Sequence, residues 1–245
     1  RAARIWEERL GTIEKPRVSD LAIFGEVLAA AQEYEAAADA YESAAELETS
    51  SGGSTGYTLR AAQNAFKAAQ QKKDSTSRKE YLDVIEKTRQ LLTDVLIEQK
   101  DQQEALLKIL GDYSKWPSND QWKQIKRNAE VLLDAAEVYA ESQMKGGIDG
   151  RVVATRLIDH LQSFTRPIPD PVNPDPKLEE FIDEWWDGAQ LKLELAVEIS
   201  RDSGQKGKSI RSKALSYGKK LLFQYPDMDG PERVKRVQLL VDRLK

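Results

Sequence analysis

The sequence contains no cysteine and a single histidine, His160, among its 245 residues. A chain without cysteine forms no disulfide, carries no thiol nucleophile and offers no thiolate ligand to a metal ion. One histidine likewise excludes every site that needs two imidazole groups. The chain begins at Arg1 and not at methionine, which indicates a trimmed N-terminus. Its composition is therefore compatible with the cytoplasm and with an extracytoplasmic compartment.

Long apolar runs and an excess of one charge are also missing. No stretch of about 18 apolar residues occurs, so we expect no membrane-spanning helix in this segment. Lysine and arginine number 37 and aspartate and glutamate 41, which leaves a formal net charge of −4. So small a net charge does not draw a chain onto nucleic acid or an anionic membrane. We therefore expect no nucleic-acid partner and no membrane insertion.

Strand signals are nearly absent, and apolar residues recur instead at every third or fourth position. The stretch from Tyr81 to Leu96 is typical, because its apolar side chains form one stripe along a helix and leave Lys87 and Asp94 to solvent. This periodicity predicts an all-α protein of ten or eleven helices. The expected helices are 2–10, 20–31, 35–48, 58–72, 77–99, 102–112, 119–143, 149–164, 178–201, 208–225 and 231–244.

Glycine, proline and capping residues mark the helix ends. The sequence Ser-Ser-Gly-Gly-Ser at 50–54 predicts a flexible turn, and residues 165–177, with five of the nine prolines, are predicted to run extended without helix. Residues 98–104 are all polar, so 77–112 is either two helices or one continuous helix. Pro231 suits a first helical position. Four helix starts have capping-box spacing: Ser77 with Glu80, Asp101 with Glu104, Ser118 with Gln121, and Asp229 with Glu232.

The segment 20–48 carries small and aromatic residues at a regular spacing. The positions are Leu21, Phe24, Gly25 and Leu28 in the first helix, then Tyr34, Ala37, Tyr41 and Ala44 in the second. They match the signature positions of the tetratricopeptide repeat, so the segment resembles one unit of that family. We expect the small residues Gly25 and Ala37 to face each other, so that the helix backbones approach closely. Tyr41 is expected to fill the space towards the next helix pair.

A second segment resembles the same repeat in part. Ala214, Leu221 and Pro226 match its second helix, but Gly218 stands where the family has an aromatic residue. The resemblance implies a divergent, tetratricopeptide-like array, a right-handed α-α superhelix of antiparallel helix pairs forming one domain over 1–245. Most members of that family hold other proteins or peptides in a concave groove.

The motifs of catalysis and cofactor binding are incomplete. Residues 204–209 resemble a phosphate-binding loop, but a P-loop needs glycine where Asp202 stands and a strand where 191–200 has a helical pattern. We interpret 204–209 as a turn between helices. Residues 227–230 resemble a calcium loop without its ligand spacing and are interpreted as a helix cap. His160 is interpreted as a helix-surface residue near a C-terminal turn. We therefore expect no catalytic residue, no cofactor and no metal.

The densest group of reactive side chains lies at 178–187. The favoured interpretation is a buried aromatic stripe beside a solvated acidic face at a helix N-terminus. One alternative is a partner-binding patch that includes Phe181, Trp185 and Trp186. Another is a sugar-cleaving site, in which paired carboxylates supply acid and base while Trp185 and Trp186 stack on the sugar. The carboxylates expected on the solvated face include Glu180 and Glu184.

Two neighbouring helices carry opposite charge. Residues 167–187 contain seven acids and one lysine, and residues 205–220 contain six basic residues and no acid. Antiparallel packing is expected to bring Lys219 and Lys220 towards the acidic start of the preceding helix, so mutual compensation is the favoured interpretation. The alternative is a docking face for an acidic partner formed by Lys219 and Lys220.

These patterns favour a non-catalytic scaffold that binds a peptide or a partner protein in a concave helical groove. The alternatives are a helical enzyme acting on carbohydrate and a structural spacer within a larger assembly. A shift of the tryptophan fluorescence with peptides, with oligosaccharides or with neither distinguishes these three functions.

Overall fold

A computed structural model of the chain describes residues 2–13, 15–73, 78–111, 118–142, 149–164, 176–201, 205–228 and 230–245. Within these ranges the regular secondary structure consists of eleven α-helices and contains no β-strand, which confirms the predicted all-α class. No helix in these ranges has the length and apolar character needed to cross a membrane. The helices are α1 Ala2–Gly11, α2 Val18–Ala30, α3 Tyr34–Leu47, α4 Ser51–Lys72, α5 Arg78–Glu98, α6 Lys100–Gly111, α7 Asn119–Glu141, α8 Gly150–Phe164, α9 Pro176–Arg201, α10 Gln205–Gln224 and α11 Pro231–Arg243.

All predicted helix ends lie within three residues of the observed ends, with one exception. Helix α4 begins at Ser51, so the flexible turn predicted for 50–54 is wrong. The Glu48 carboxylate accepts hydrogen bonds of 3.0 Å from both the backbone N and the Oγ of Ser50, which fixes the chain entering the helix. Ser54 Oγ donates to the carbonyl of Ala45 at 3.1 Å. These contacts offset the low helix propensity of the glycines.

The polar stretch 98–104 contains only a minimal interruption. Helices α5 and α6 are separated by Gln99 alone. The Gln99 amide donates to Val95 O at 3.0 Å, and the Gln103 amide donates to Gln99 O at 2.9 Å, so the helical hydrogen-bond pattern continues across the junction. The helix start predicted at Asp101 is wrong, because Asp101 already lies inside α6.

Other predicted ends have mixed outcomes. The capping box of Ser118 is confirmed: its amide donates to Gln121 Oε1 at 2.7 Å, and the Gln121 amide donates to Ser118 Oγ at 3.4 Å. Pro231 begins α11, as expected. The proline-rich segment ends earlier than predicted, because Pro176 begins α9, where its missing N–H needs no partner. The turn predicted at 204–209 is wrong from Gln205 onwards, because α10 begins there. Residues 165–175 and the predicted caps Ser77 and Asp229 lie outside the described residues.

The chain divides into two compact units. The N-terminal unit comprises Arg1–Ala105 and Glu141–Ile148, and the C-terminal unit comprises Leu106–Ala140 and Asp149–Lys245. The prediction of one domain over 1–245 stays a prediction.

Neighbouring helices of the N-terminal unit run antiparallel. Along α3 and α4, Tyr34 lies under the ammonium of Lys67 and Tyr41 lies under the guanidinium of Arg60, with ring-to-cation distances of 5.6 Å in both cases. Because the residue numbers of these contacts rise along α3 and fall along α4, the two helices run antiparallel. Arg60 also donates to Glu26 of α2 at 2.8 Å, which connects α4 with α2.

Five of the eight tetratricopeptide-like positions of α2 and α3 are buried, and Leu21, Phe24 and Tyr34 are partly exposed. Ala37, Tyr41 and Ala44 are buried, and Ala37 packs in a cluster with Leu28. Gly25, however, faces the ring of Tyr41, which supplies the three atoms nearest to a Cβ built at position 25. The expected contact of Gly25 with Ala37 is therefore wrong, because the nearest neighbour of Gly25 is Tyr41. An aromatic ring occupies the space that the missing side chain leaves.

Helices α9 and α10 of the C-terminal unit run antiparallel, because Trp185 meets Tyr225 and Leu193, further along α9, lies near Gly218. Lys192 of α9 contacts both Asp159 of α8 and the Tyr217 ring of α10. Gly218 of α10 lies close to side chains of both α9 and α11. A Cβ at Gly218 would overlap Val241 Cγ2 and would lie 3.4 Å from Leu193 Cδ2. The glycine that departs from the repeat pattern thus makes room for a valine of α11.

Candidate functional site

The two adjacent tryptophans of α9 belong to the core of the C-terminal unit. Trp185 and Trp186 are only 7% and 5% exposed. Their rings meet edge to face at 4.8 Å, and both meet Tyr225 edge to face, at 6.1 Å and 5.3 Å. The interpretation of these tryptophans as a buried aromatic stripe is confirmed. The third aromatic residue of the candidate partner-binding patch, Phe181, has a side chain outside the described residues.

Glu184 departs most clearly from expectation, because it was predicted on a solvated face and is 8% exposed. Its Oε1 lies 4.0 Å from Lys126 Nζ of α7, and its Oε2 is buried and has no hydrogen-bond partner among the described residues. Burial raises the pKa of Glu184, and the Lys126 charge opposes that rise only in part. The prediction fails because side chains of α7, Lys126 among them, lie close to this face of α9. The other predicted residue, Glu180, has a side chain outside the description.

Two further acidic groups on α7 and α9, Glu137 and Asp187, have raised pKa values. Burial and the charges of Asp134, Asp187 and Glu194 raise the pKa of Glu137 on α7. Burial also raises the pKa of Asp187, and the Arg233 guanidinium opposes the rise. Glu137 and Asp187 repel each other, so the ionised form of Glu137 is less favourable in the folded chain.

The compensation expected for the acidic start of α9 comes from a different helix. Arg233 of α11 lies 2.6 Å from Asp183 Oδ1 and 3.7 Å from Asp187 Oδ1. Lys219 and Lys220 are exposed on α10, and neither has an ion-pair partner in the described ranges. The proposed pairing of these lysines with the start of α9 is not seen there.

A partly enclosed cavity of about 400 Å³ lies in the C-terminal unit and is formed by α8, α9 and α10. Each helix contributes one stripe of side chains at spacings near three, four and seven residues. The cavity wall is mostly apolar, and its polar residues comprise Thr155, Tyr217 and four charged side chains. The apolar residues are Val152, Leu193, Ala196, Ile199, Ile210 and Ala214.

One group of polar residues at this cavity is internally satisfied. Lys192 donates to Asp159 at 2.5 Å and to Gln162 at 3.3 Å, and its ammonium lies 4.6 Å from the centre of the Tyr217 ring. Gln162 in turn donates to Tyr217 Oη at 2.5 Å. Burial raises the pKa of Tyr217 to about 12, so its hydroxyl stays protonated at neutral pH. This network holds the cavity wall in one arrangement.

The two remaining cations at the cavity are uncompensated. Arg156 of α8 and Lys213 of α10 are exposed, and neither has a carboxylate partner in the portion of the chain that the structure describes. The one acid of the wall, Asp159, is already engaged by Lys192. The cavity therefore presents an apolar surface with two positive charges available to a ligand.

The N-terminal unit has a groove of the opposite charge. An open cavity of about 400 Å³ between α3, α4 and α5 is lined by four acids and no basic residue. Lys87 lies 2.8 Å from one of them, Glu42, and Thr55 donates to another, Glu98. The two units thus offer concave surfaces of opposite charge.

Sequence reasoning did not identify the cavity in the C-terminal unit. The residues that line it recur at helical spacing on each helix. Examples are Val152, Arg156 and Asp159 on α8 and Ile210, Lys213 and Tyr217 on α10. Periodicity alone assigns such residues to a core, because it does not show which part of a buried stripe stays uncovered.

No protein-family model matches the chain, and neither a curated protein nor a solved structure matches it.

Proposed function

We propose that the chain is a non-catalytic interaction module that holds a peptide segment of a partner protein in the cavity between α8, α9 and α10. The observation that carries the proposal is that cavity, with its volume of about 400 Å³, its mostly apolar wall and two cations, Arg156 and Lys213, that have no carboxylate partner among the described residues. Concave apolar sites with a few polar groups are the usual form of a ligand site. Grooves between helices accept apolar anchor side chains of peptides.

The tetratricopeptide-like relationship is part of the same proposal. Its support is the burial of Ala37, Tyr41 and Ala44 at the positions where that repeat has small and aromatic core residues. The close approach of Gly25 to Tyr41 adds to this support.

The packing of the tryptophans favours the module over a carbohydrate enzyme. Stacking on a sugar requires an open indole face, and both indoles of α9 are buried against each other and against Tyr225.

A displayed library of random dodecapeptides, selected on the immobilised chain, tests the proposal. Ala214→Phe places a ring in the cavity, and Ala36→Phe places the same ring on an exposed position of α3. We expect selected peptides to bind the wild type and Ala36→Phe equally, and to bind Ala214→Phe about tenfold more weakly. Circular dichroism of both variants controls for folding, and Ala196→Leu offers a milder obstruction if Ala214→Phe unfolds. Failure to enrich any peptide, or equal binding by the folded blocked variants, would overturn the proposal.

A further inference from the structure

We infer that the partner segment of the α8–α10 cavity is acidic, with an aliphatic anchor side chain flanked by carboxylates; this inference rests on the proposed function. Its basis is the juxtaposition of the apolar wall with Arg156 and Lys213, on the two helices that flank α9.

The apolar wall specifies the anchor. Leu193, Ala196 and Ile199 belong to α9, and Val152 and Ile210 face them from α8 and α10. These side chains offer no hydrogen-bonding group, so a polar anchor would lose its hydrogen bonds to water without replacement. An aliphatic side chain loses no hydrogen bond on entering, and its burial removes the apolar wall from water.

The charges specify the flanking residues. Lys192 is committed to Asp159 and to Tyr217, so its charge is internally balanced. Arg156 and Lys213 have no such partner among the described residues. Carboxylates on either side of the anchor would supply the counter-charges, and lysines in their place would be repelled.

The groove of the N-terminal unit has the opposite charge and provides a contrast for the binding of an acidic peptide. Its lining contains Glu42, Glu46, Asp94 and Glu98, so it repels the same acidic segment. A basic segment would be attracted to that groove and repelled by Arg156 and Lys213. The charge of the probe therefore distinguishes the two concave surfaces of one chain.

An aliphatic carboxylic acid has the same chemistry as an acidic peptide with a leucine anchor. The geometry favours the peptide, since two cations on separate helices match carboxylates on both sides of an anchor. A fatty acid has one carboxylate at one end and would leave one cation unpaired.

The test uses two fluorescein-labelled peptides, each with two leucines, flanked by two aspartates on each side or by two lysines on each side. Fluorescence anisotropy with the full chain is expected to give about tenfold tighter binding of the acidic peptide at low salt. The difference is expected to shrink as salt rises from about 0.05 M to about 0.3 M, because the Debye length shortens.

Two double variants separate the site from overall charge. Arg156→Glu with Lys213→Glu is expected to weaken acidic-peptide binding about tenfold. Lys123→Glu with Lys235→Glu changes the net charge equally on α7 and α11, away from the cavity wall, and is expected to leave binding within about twofold. Equal weakening by both double variants would mean that net charge alone drives binding, which would overturn the inference.

The remaining outcomes distinguish the inference from the proposed function. If Ala214→Phe abolishes peptide binding while charge reversal and peptide charge have no effect, the acidic partner is wrong and the peptide module stands. If no peptide binds in a manner sensitive to Ala214→Phe, both are overturned. If dodecanoate binds with that sensitivity and the acidic peptide does not, the occupant is a small aliphatic acid, and the inference is likewise overturned.

Discussion

Gly25 of α2 lies against the phenol ring of Tyr41 of α3, and a Cβ at position 25 would be 2.9 Å from Tyr41 Cζ and 3.0 Å from Cε2. The same ring lies 5.6 Å from the guanidinium carbon of Arg60 on α4. One tyrosine is thereby enclosed between the backbone of one helix and a cation of another. Glycine at position 25 leaves room for the Tyr41 ring, so a larger residue there is expected to lower the free energy of unfolding.

We predict that Gly25→Ala lowers the free energy of unfolding by about 1–3 kcal/mol, because the added methyl forces the Tyr41 ring or the helix to shift. Urea unfolding followed by circular dichroism measures the loss. Gly56→Ala is the matched control, since Gly56 lies within α4 with no atom near a built Cβ. Its added methyl is expected to stabilise by about 0.4–1 kcal/mol. Equal behaviour of the two variants would contradict the ring packing.

Most helix ends could be predicted because capping residues and proline mark them within the local sequence. Ser118 with Gln121 and Pro231 act within one turn of chain, so their effect is visible without the fold. The start of α4 could not be predicted in this way. Its glycines favour a loop by propensity, and the bonds that overcome this preference join Ser50 to Glu48 and Ser54 to Ala45. The second of these spans nine positions and depends on how α3 and α4 pack.

The candidate site was less accessible to sequence reasoning for the same reason. Glu184 has the spacing of a surface residue on α9, and only the approach of Lys126 on α7 shows that the face is covered. Arg156 and Lys213 are unremarkable in their own helices. Their importance arises because the fold places them at one cavity and leaves them without a carboxylate partner among the described residues.

The close approach at Gly218 supports a second prediction. A methyl at 218 would overlap Val241 Cγ2, so Gly218→Ala is expected to destabilise despite the better helix propensity of alanine. Val241→Ala removes the obstructing methyl groups. The double variant is therefore expected to lose less stability than the sum of the two single losses, with a coupling of about 0.5–3 kcal/mol. Additive losses in a double-mutant cycle would show that the two positions do not meet.

The buried carboxylate of Glu184 predicts a pH dependence of stability. Its pKa is higher in the folded than in the unfolded chain, so folding favours the protonated form. This contribution is fully present below the unfolded pKa and is lost as the pH rises through the folded pKa. We therefore expect Glu184→Gln to stabilise the chain at pH 7 relative to the wild type, and to remove part of the decline between acidic and neutral pH.

Asp242 provides a control of opposite sign for that experiment. It accepts hydrogen bonds from Lys245 and Gln238, which lower its pKa, so its contribution is lost as the pH falls. Asp242→Asn is expected to reduce stability at pH 7 and to have less effect at pH 3. Melting curves of both variants from about pH 3 to about pH 8 measure these trends. A Glu184→Gln variant less stable than the wild type at pH 7 would refute the expectation that burial of this carboxylate opposes folding at neutral pH.

The acidic start of α9 predicts different roles for three cations of the C-terminal unit. Arg233 contacts both Asp183 and Asp187, so Arg233→Gln is expected to lower the free energy of unfolding by about 0.2–1 kcal/mol. Lys219 and Lys220 have no partner of this kind in the described ranges, so their joint replacement by glutamate is expected to change stability by less than about 0.5 kcal/mol. Melting in about 0.05 M and about 0.5 M NaCl separates the cases, because salt should reduce the Arg233 effect. A large, salt-sensitive loss in the Lys219→Glu/Lys220→Glu variant would instead support compensation by these lysines, and lost binding of the acidic peptide with unchanged melting would assign them to docking.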